Sequence, residues 1–298
     1  MTLFDRWFSG ERLELNEETR TGLPGAFVKL SDGVTHYEIG GPESGPPVVL
    51  LHGFSVPYFI WAPTFEALTL GGFRVLRYDL FGRGFSDRPN LPNTREFFAR
   101  QFTELLDALG FDGAVDVVSL SMGGVVAAEL VQRAPGRLRR LVFLDPAGFN
   151  LGLPLAARAL KFPLLGEFLL GVLGLFGSRR LVTTMLADFY RPTSEMVAAF
   201  VSRYEEAMRY QGFKRSLLSS FREGMLDEDL GLFRAVGESD KPVLLIWGKE
   251  DTTVPFAHSH KFQELVKKTE FHEIPGAGHL PHFERPELVD RLIIDFLG

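Results

Sequence analysis

The sequence predicts an α/β fold in which a mostly parallel sheet carries helices on both faces and a helical insertion. Three observations lead to this prediction. Strand and helix patterns alternate up to residue 148, only helical patterns occur from 149 to 238, and the alternation resumes at residue 241. We therefore expect a core made of residues 1–148 and 239–298. Residues 149–238 should form a helical cap, or lid, above the carboxyl ends of the strands.

The strands are indicated by apolar runs that end at turn residues. Two short runs, 26–30 and 34–40, are separated by Ser-Asp-Gly and predict a β-hairpin. The run at 46–54 is continuously apolar, as a strand buried on both faces requires, and the runs at 74–80, 114–121 and 137–148 repeat this pattern. Further strands are predicted at 241–251 and 268–279.

Two helices of the core have clear boundaries. Apolar residues recur at helical spacing within Asn93–Gly110, and the segment ends at a glycine. Asn93 and Glu96 have the spacing of a capping box, so we expect the helix to begin there. Residues 285–297 form a final amphipathic helix. Both helices separate or follow predicted strands, as a parallel sheet requires.

Composition excludes several classes of protein. The 298 residues are 45% hydrophobic and 23% charged, as in an ordinary globular chain. The net charge of −6, without a block of basic residues, argues against a nucleic-acid partner. There is no cysteine, and the apolar stretch Phe168–Ser178 is too short to span a bilayer. We expect no signal peptide, no integral membrane association and a cytoplasmic location; the oligomeric state is left open.

The stretch SLSMGG, residues 119–124, is the first candidate for chemistry. A nucleophile on a tight strand-to-helix turn needs small residues two positions before and after it. Ser121 meets this requirement, with Ser119 before it and Gly123 after it. Such a turn also directs the Met122 backbone N–H towards developing negative charge. Ser121 is therefore the predicted nucleophile.

A base and an acid follow in the order that suits this architecture. His279 lies in a glycine-rich loop directly after the last strand, and a serine hydroxyl needs such a base. Asp251 lies just past the strand that follows the insertion, where a carboxylate can orient the imidazole. Asp145, one strand earlier, is the alternative acid, and Glu250 is a weaker one.

An oxyanion site needs two backbone donors. Residues 51–55 (LHGFS) form a loop after the third strand, in which Gly53 lets the backbone turn and the Phe54 N–H can face the nucleophile. With Met122, this gives two donors for the oxyanion. His52, Gly53 and Gly123 are predicted to support this loop and turn.

These motifs together resemble one family. HGF, DLFGRGFSDRP, SLSMGG, GKEDTTVP and GAGHLPHFERP, in this order, are similar to the α/β-hydrolase superfamily, in its cap-bearing, carboxylesterase-like serine-hydrolase branch. The resemblance runs from about residue 26 to the C-terminus, outside the cap. It implies an eight-stranded sheet, the triad Ser121–Asp251–His279, and neither a metal nor an organic cofactor.

Related branches differ at two places. Haloalkane dehalogenases and epoxide hydrolases of this fold use aspartate where Ser121 stands. Carbon–carbon bond hydrolases of ring-cleavage products keep the serine. They usually show a His-Gly-x-Gly-Pro-Gly loop and a tryptophan after the histidine, whereas this chain has HGFSVP and Leu280-Pro281. That branch is less favoured but stays open, and cofactor-free perhydrolases are not separated by these motifs.

The cap adds a clue to the substrate. It is rich in Leu and Phe, and a lid over the sheet edge leaves part of this apolar surface to line a pocket. We therefore predict a small-molecule partner, a small-to-medium hydrophobic carboxylic ester, cleaved through an acyl-enzyme on Ser121. The alternatives are a carbon–carbon bond hydrolase and a slow, ligand-binding, receptor-like member of the fold.

Overall fold

An eight-stranded sheet forms the centre of the fold, as the sequence predicts. The structure, a computed structural model, describes residues 11–152, 158–169, 182 and 185–298. Its strands are β1 Ala26–Lys29, β2 Val34–Gly40, β3 Pro47–Leu51, β4 Arg74–Tyr78, β5 Val115–Leu120, β6 Leu138–Leu144, β7 Val243–Gly248 and β8 Thr269–Ile274.

The strand order is β1-β2-β4-β3-β5-β6-β7-β8. The predicted hairpin is confirmed, since β1 pairs antiparallel with β2, and β2 pairs antiparallel with β4. All other neighbours are parallel. The carboxyl ends of β3 and of β5 to β8 therefore meet along one edge of the sheet.

Helices cover both faces of this sheet. Their bounds are α1 Glu17–Thr21, α2 Ala62–Leu70, α3 Arg95–Ala108, α4 Met122–Arg133, α5 Ser194–Met208, α6 Phe213–Arg222, α7 Leu230–Glu238, α8 His258–Leu265, α9 Pro281–Glu284 and α10 Pro286–Leu297. Helices α3, α4, α7 and α8 pack on one face, and α2, α5, α6 and α10 contribute to the apolar cluster of the other. None of the described helices is both long and apolar enough to span a bilayer.

The strands are buried on both sides because each face has its own core. In β5, Val117 belongs to one apolar cluster and the next residue, Val118, belongs to the other. All six residues of β5 and all six of β7 are buried. Adjacent side chains of a strand point to opposite faces, so a continuous apolar run is what two covered faces demand.

The helix predicted at Asn93–Gly110 is present, but its N-cap differs by one residue. The cap is Thr94, whose Oγ1 accepts the Phe97 N–H at 3.2 Å. Asn93 instead donates from Nδ2 to the backbone oxygen of Ser216, at the start of α6, at 3.0 Å. The predicted capping box at Asn93 is therefore wrong, because Asn93 joins the core to the inserted segment.

The inserted segment, residues 149–238, contains α5, α6 and α7 among its described residues. Helix α7 packs on the sheet, since Phe233 stacks on Phe149 with ring centroids 5.0 Å apart and contacts Phe143 edge-on. Residues 170–178, which make up most of the apolar stretch Phe168–Ser178, lie outside the described residues. The division into a core and a cap at 149–238 stays a prediction.

Candidate active site

The strand register aligns the predicted site residues along one sheet edge. Leu51 pairs with Ser119, and Leu120 with Leu144, so the chain leaves β3, β5 and β6 at the same level. Strand β7 continues this alignment, because Leu144 pairs with Ile246. The residues that follow these strand ends and β8 are His52–Phe54, Ser121, Asp145, Asp251 and His279.

Ser121 stands on a strained bend between β5 and α4. Its φ of 54° and ψ of −119° are uncommon for a residue with a side chain. Two backbone hydrogen bonds hold the bend. The Ser121 N–H donates to the Leu144 carbonyl oxygen at 3.0 Å, and the Ser121 carbonyl oxygen accepts the Ala147 N–H at 3.0 Å. Strain of this kind persists only where surrounding structure enforces it, and it is common at functional sites.

The small residues around Ser121 have specific steric reasons. A Cβ at Gly123 would lie 2.6 Å from the Leu51 oxygen, so only glycine lets α4 start this close to β3. A Cβ at Gly53 would lie 3.3 Å from the Ser121 Cβ, which shows that the loop after β3 passes beside the serine. Ser119 is fully buried, and its hydroxyl donates to Val142 O at 2.9 Å. Ser119 therefore fills a small space and faces the neighbouring strand.

Asp251 and His279 form a buried hydrogen-bonded pair. His279 Nδ1 donates to Asp251 Oδ2 at 2.7 Å, and Asp251 Oδ1 accepts the Thr253 and Val254 N–H groups at 2.8 and 2.9 Å. These contacts fix the carboxylate and assign the Nδ1 proton of the ring, which leaves Nε2 as the free acceptor. Burial lowers the pKa of His279, but the charge and hydrogen bond of Asp251 outweigh burial, so the pKa lies above its ordinary value.

The structure does not place Ser121 and His279 in hydrogen-bond contact. Within the described residues, the side-chain hydrogen bond of His279 is the one at Nδ1, and the Ser121 hydroxyl has none. Both residues keep a small exposed fraction, 7% for Ser121 and 4% for His279. The pair Asp251–His279 is thus assembled, and the predicted contact from Ser121 to the imidazole is not made in this state.

Asp145, the alternative acid, lies beside this pair. Its side chain is completely buried, and its Oδ1 accepts the Gly248 N–H at 2.8 Å. One carboxylate oxygen each of Asp145 and Asp251 and one ring nitrogen of His279 lie within 4.8 Å of one another. The hydrogen bond of His279 Nδ1, however, goes to Asp251 and not to Asp145.

The loop after β3 is held from behind by buried polar groups. His52 Nε2 accepts the Leu80 N–H at 2.9 Å and its Nδ1–H donates to Gly53 O at 2.9 Å. Burial lowers the pKa of His52 to about 4, so the ring is neutral and the tautomer is defined. Arg83 Nε donates to the Phe54 oxygen at 2.8 Å. Neither the Phe54 nor the Met122 N–H donates a hydrogen bond to any residue that the structure describes.

The site includes four residues that the sequence analysis did not select, Asp188, Thr253, Tyr190 and Glu284. The His279 N–H donates to the Asp188 oxygen at 2.7 Å, and Thr253 Oγ1 donates to Asp188 Oδ1 at 2.6 Å. Glu284 accepts the Gly278 N–H and the Tyr190 N–H, each at 2.7 Å, and burial raises its pKa to about 7. Asp188 and Tyr190 belong to the inserted segment, which is therefore fastened to the loops that carry Asp251 and His279. No local motif marks Asp188, whereas Glu284 lies within the GAGHLPHFERP motif.

The same buried cluster is the one group of described residues that has the spacing to bind a metal ion. It consists of Asp145, Asp251 and His279. The donor atoms of two members are already paired with each other at 2.7 Å, and two backbone N–H groups occupy Asp251 Oδ1. This is the arrangement of an acid that orients an imidazole rather than that of a set of free ligands.

The comparisons with known proteins agree with this architecture. A profile of the α/β hydrolase fold matches residues 46–286. The 2-hydroxy-6-oxo-6-phenylhexa-2,4-dienoate hydrolase of Comamonas testosteroni is 28% identical over 277 residues, which are 90% of this chain and 92% of that protein. A protein of Bacillus subtilis (strain 168) named uncharacterized carboxylesterase nap is 26% identical over 277 residues, 91% of this chain and 86% of that protein.

A solved structure shows the same fold over nearly the whole chain. The enol-lactonase from Burkholderia xenovorans LB400 superposes with a TM-score of 0.75 at 22% identity, covering 91% of this chain and 99% of that chain. At this identity the likeness concerns the fold. Because the family profile spans most of the sequence, and the sheet, the bend at Ser121 and the order of the strand ends agree with it, the chain belongs to the α/β-hydrolase fold family.

Proposed function

We propose that the protein is a serine hydrolase that cleaves small-to-medium hydrophobic carboxylic esters through an acyl-enzyme on Ser121. One observation carries this proposal. The buried pair Asp251–His279, joined at 2.7 Å, lies on the same sheet edge as a serine held at a positive φ. A hydroxyl on a strained bend, an imidazole with a defined tautomer and an orienting carboxylate are what acyl transfer needs.

In the proposed reaction, His279 Nε2 removes the proton of Ser121 as the serine oxygen bonds to the ester carbonyl carbon. The bond from that carbon to the alkoxy oxygen then breaks, and the alcohol leaves with the proton from His279. Water repeats the sequence on the acyl-enzyme and releases the carboxylic acid. Asp251 keeps Nδ1 protonated and stabilises the imidazolium that forms in each step. In this proposal the hydrogen bond between the Ser121 hydroxyl and Nε2 forms when substrate binds.

The oxyanion is assigned to the Phe54 and Met122 N–H groups. Both donors are unoccupied within the described part of the chain, and Gly53 brings the Phe54 loop beside Ser121. Arg83 fixes the Phe54 carbonyl, so the loop does not need to reorganise as charge develops. Removal of one such donor from a well-studied hydrolase raises the activation barrier by about 3–4 kcal/mol.

Three carboxyl groups, those of Asp251, Asp188 and Glu284, raise the pKa of His279. In the proposed reaction, this favours the imidazolium that forms when the ring takes the Ser121 proton. The cap at 149–238 and a cytoplasmic location belong to the same proposal. The relative named as a carboxylesterase supports the ester-cleaving activity.

A series of p-nitrophenyl esters of rising acyl length tests this function. The wild type should show a maximum of kcat/KM at a short or medium chain, and Ser121→Ala should lose at least about 10³-fold. Ser119→Ala is the matched control, because this buried serine lies two residues earlier and its hydroxyl faces Val142. Equal turnover by the wild type and Ser121→Ala would end the proposal.

A carbon–carbon bond hydrolase is the second candidate. The observation in its favour is the 28% identity to the 2-hydroxy-6-oxo-6-phenylhexa-2,4-dienoate hydrolase. The wild type can be mixed at micromolar concentration with that dienoate, and the loss of its coloured dienolate form followed. Decay that is faster than ester turnover and absent in Ser121→Ala would make this the principal activity.

A further inference from the structure

Asp145 is a buried acid that the proposed mechanism does not use. It directly follows β6 at a positive φ of 42° and is fully shielded from solvent. Its Oδ1 accepts one backbone N–H, that of Gly248, at 2.8 Å. Its Oδ2 is buried and has no hydrogen-bond partner among the described residues. An ionised carboxylate with one unpaired oxygen and no access to water is costly, so this oxygen needs an explanation.

The explanation lies in the neighbouring acid. Ligand atoms of Asp145, Asp251 and His279 lie within 4.8 Å of one another, and both carboxyl groups are buried. Two negative charges at this separation without water are strongly unfavourable, so one group keeps a proton. Asp251 is the better place for the charge, because two backbone N–H groups and the imidazole donate to it, whereas Asp145 has one donor.

The electrostatic environment agrees with this assignment. Burial raises the pKa of Asp145 well above its usual range, and the charges of Asp251 and Glu284 raise it further. The other titratable groups around the pair are His279, which is hydrogen-bonded to Asp251, Asp188, whose charge raises the pKa of His279, and His258, whose pKa burial lowers and the charge of Asp251 acts to raise. A neutral Asp145 has one O–H group. Because Oδ1 already accepts the Gly248 N–H, we place the proton on Oδ2, which has no other partner among the described residues.

We propose that Asp145 is a positioning residue: a neutral carboxylic acid whose Oδ2–H donates a hydrogen bond to the Asp251 carboxylate and holds that carboxylate facing His279. The inference rests on the proposed function, because it assigns Asp145 a part in the same site. The proton satisfies the otherwise unpaired oxygen of Asp145. It also leaves one negative charge, rather than two, beside the imidazole.

Two variants of Asp145 separate this role from others. In Asp145→Asn the carbonyl oxygen can accept the Gly248 N–H, and the amide can donate to Asp251 in place of the O–H. Asp145→Leu has a similar volume and no donor. The readout is the second-order rate of fluorophosphonate addition to Ser121 as a function of pH, in which the serine oxygen bonds to phosphorus, fluoride leaves and the proton passes to His279. Thermal unfolding of each variant is measured alongside.

We expect Asp145→Asn to react within about threefold of the wild type, with the midpoint of its acid limb moved by less than about 0.3 units, because no charge has been removed. Asp145→Leu should react at least about tenfold more slowly. A midpoint lowered by about one unit in Asp145→Asn would mean that Asp145 is ionised, and would overturn the proposal. If the rate of fluorophosphonate addition falls as far in Asp145→Asn as in Asp251→Asn, Asp145 is the orienting acid itself. This result would also overturn the proposal.

Infrared difference spectroscopy gives a readout that does not depend on reactivity. The spectrum of the wild type minus that of Asp145→Asn at pH 7 should show the C=O stretch of a protonated, buried carboxyl group. Glu284, whose pKa burial raises to about 7, contributes to both spectra and cancels in the difference. Absence of this band from the difference spectrum overturns the inference even if Asp145→Leu fails to fold. Failure of the proposed function is distinct from this outcome, since it would appear as a wild type that does not react with the fluorophosphonate while the band is present.

Discussion

The exchange Asp251→Asn removes one charge and one proton acceptor while keeping the shape of the side chain. The amide oxygen can still accept the Thr253 and Val254 N–H groups, at 2.8 and 2.9 Å in the wild type. The amide nitrogen then faces His279 Nδ1 at the 2.7 Å now spanned by the hydrogen bond. Two donors cannot face each other, so Nδ1 loses its proton and Nε2 carries it. The imidazole can then no longer accept the Ser121 proton.

We expect Asp251→Asn to lower kcat by about 10⁴-fold, the effect of the same exchange in a serine-protease triad, or about 5.5 kcal/mol of barrier. The assay is steady-state turnover of the best p-nitrophenyl ester, with the fluorophosphonate rate as a second readout and circular dichroism to confirm the fold. Asp145→Asn is the matched control, because it makes the same exchange one strand away. Turnover by Asp251→Asn within tenfold of the wild type, or a larger loss in the control, would refute the reasoning.

Three further predictions follow from buried titratable groups. The acid limb of kcat/KM should have an apparent pKa above 6.5, because the raised pKa of His279 must be passed before the base is neutral; a limb at or below 6.5 contradicts this. Asp79→Ala should lower the free energy of unfolding by about 3–5 kcal/mol in urea titrations, since three buried donors lose their acceptor; a loss below about 1 kcal/mol would contradict it. Burial raises the pKa of Asp290 from 3.8 to about 6, so the folded state binds this proton more tightly, and stability falls as pH rises through that range. Relative to Asp290→Asn, the free energy of unfolding of the wild type should therefore rise by up to about 3 kcal/mol as the pH falls from 8 to 4. Parallel curves of unfolding free energy against pH for the two proteins would argue against the shift.

The parts of the fold that depend on local pattern were predictable. Continuous apolar runs indicate strands covered on both faces, because neighbouring residues such as Val117 and Val118 must each enter a core. The bend at Ser121 was predictable for a similar reason. Its small neighbours answer a steric demand within a few residues, and the structure shows that demand at Gly123.

Features that depend on distant contacts were not predictable from local pattern. Asp145 and Asp251 both follow a buried strand; the sequence favours Asp251 and keeps Asp145 as the alternative acid. The 2.7 Å hydrogen bond across two loops shows that Asp251 is the carboxylate that contacts the imidazole. Asn93 and Thr94 are both good N-cap residues, and the contact of Asn93 with α6 leaves the cap to Thr94. Asp188 supports His279 from the inserted segment, where no motif marks it.

The central claim is that substrate is held covalently on Ser121 during turnover. The most direct test is to mix the wild type with its best ester, stop the reaction with acid within the first turnover, and locate the acyl group by peptide mass mapping. We expect one acyl group per chain, on the peptide that contains Ser121, and none in Ser121→Ala. A wild type that hydrolyses the ester with no acylated peptide, or with the acyl group on another residue, would contradict the account.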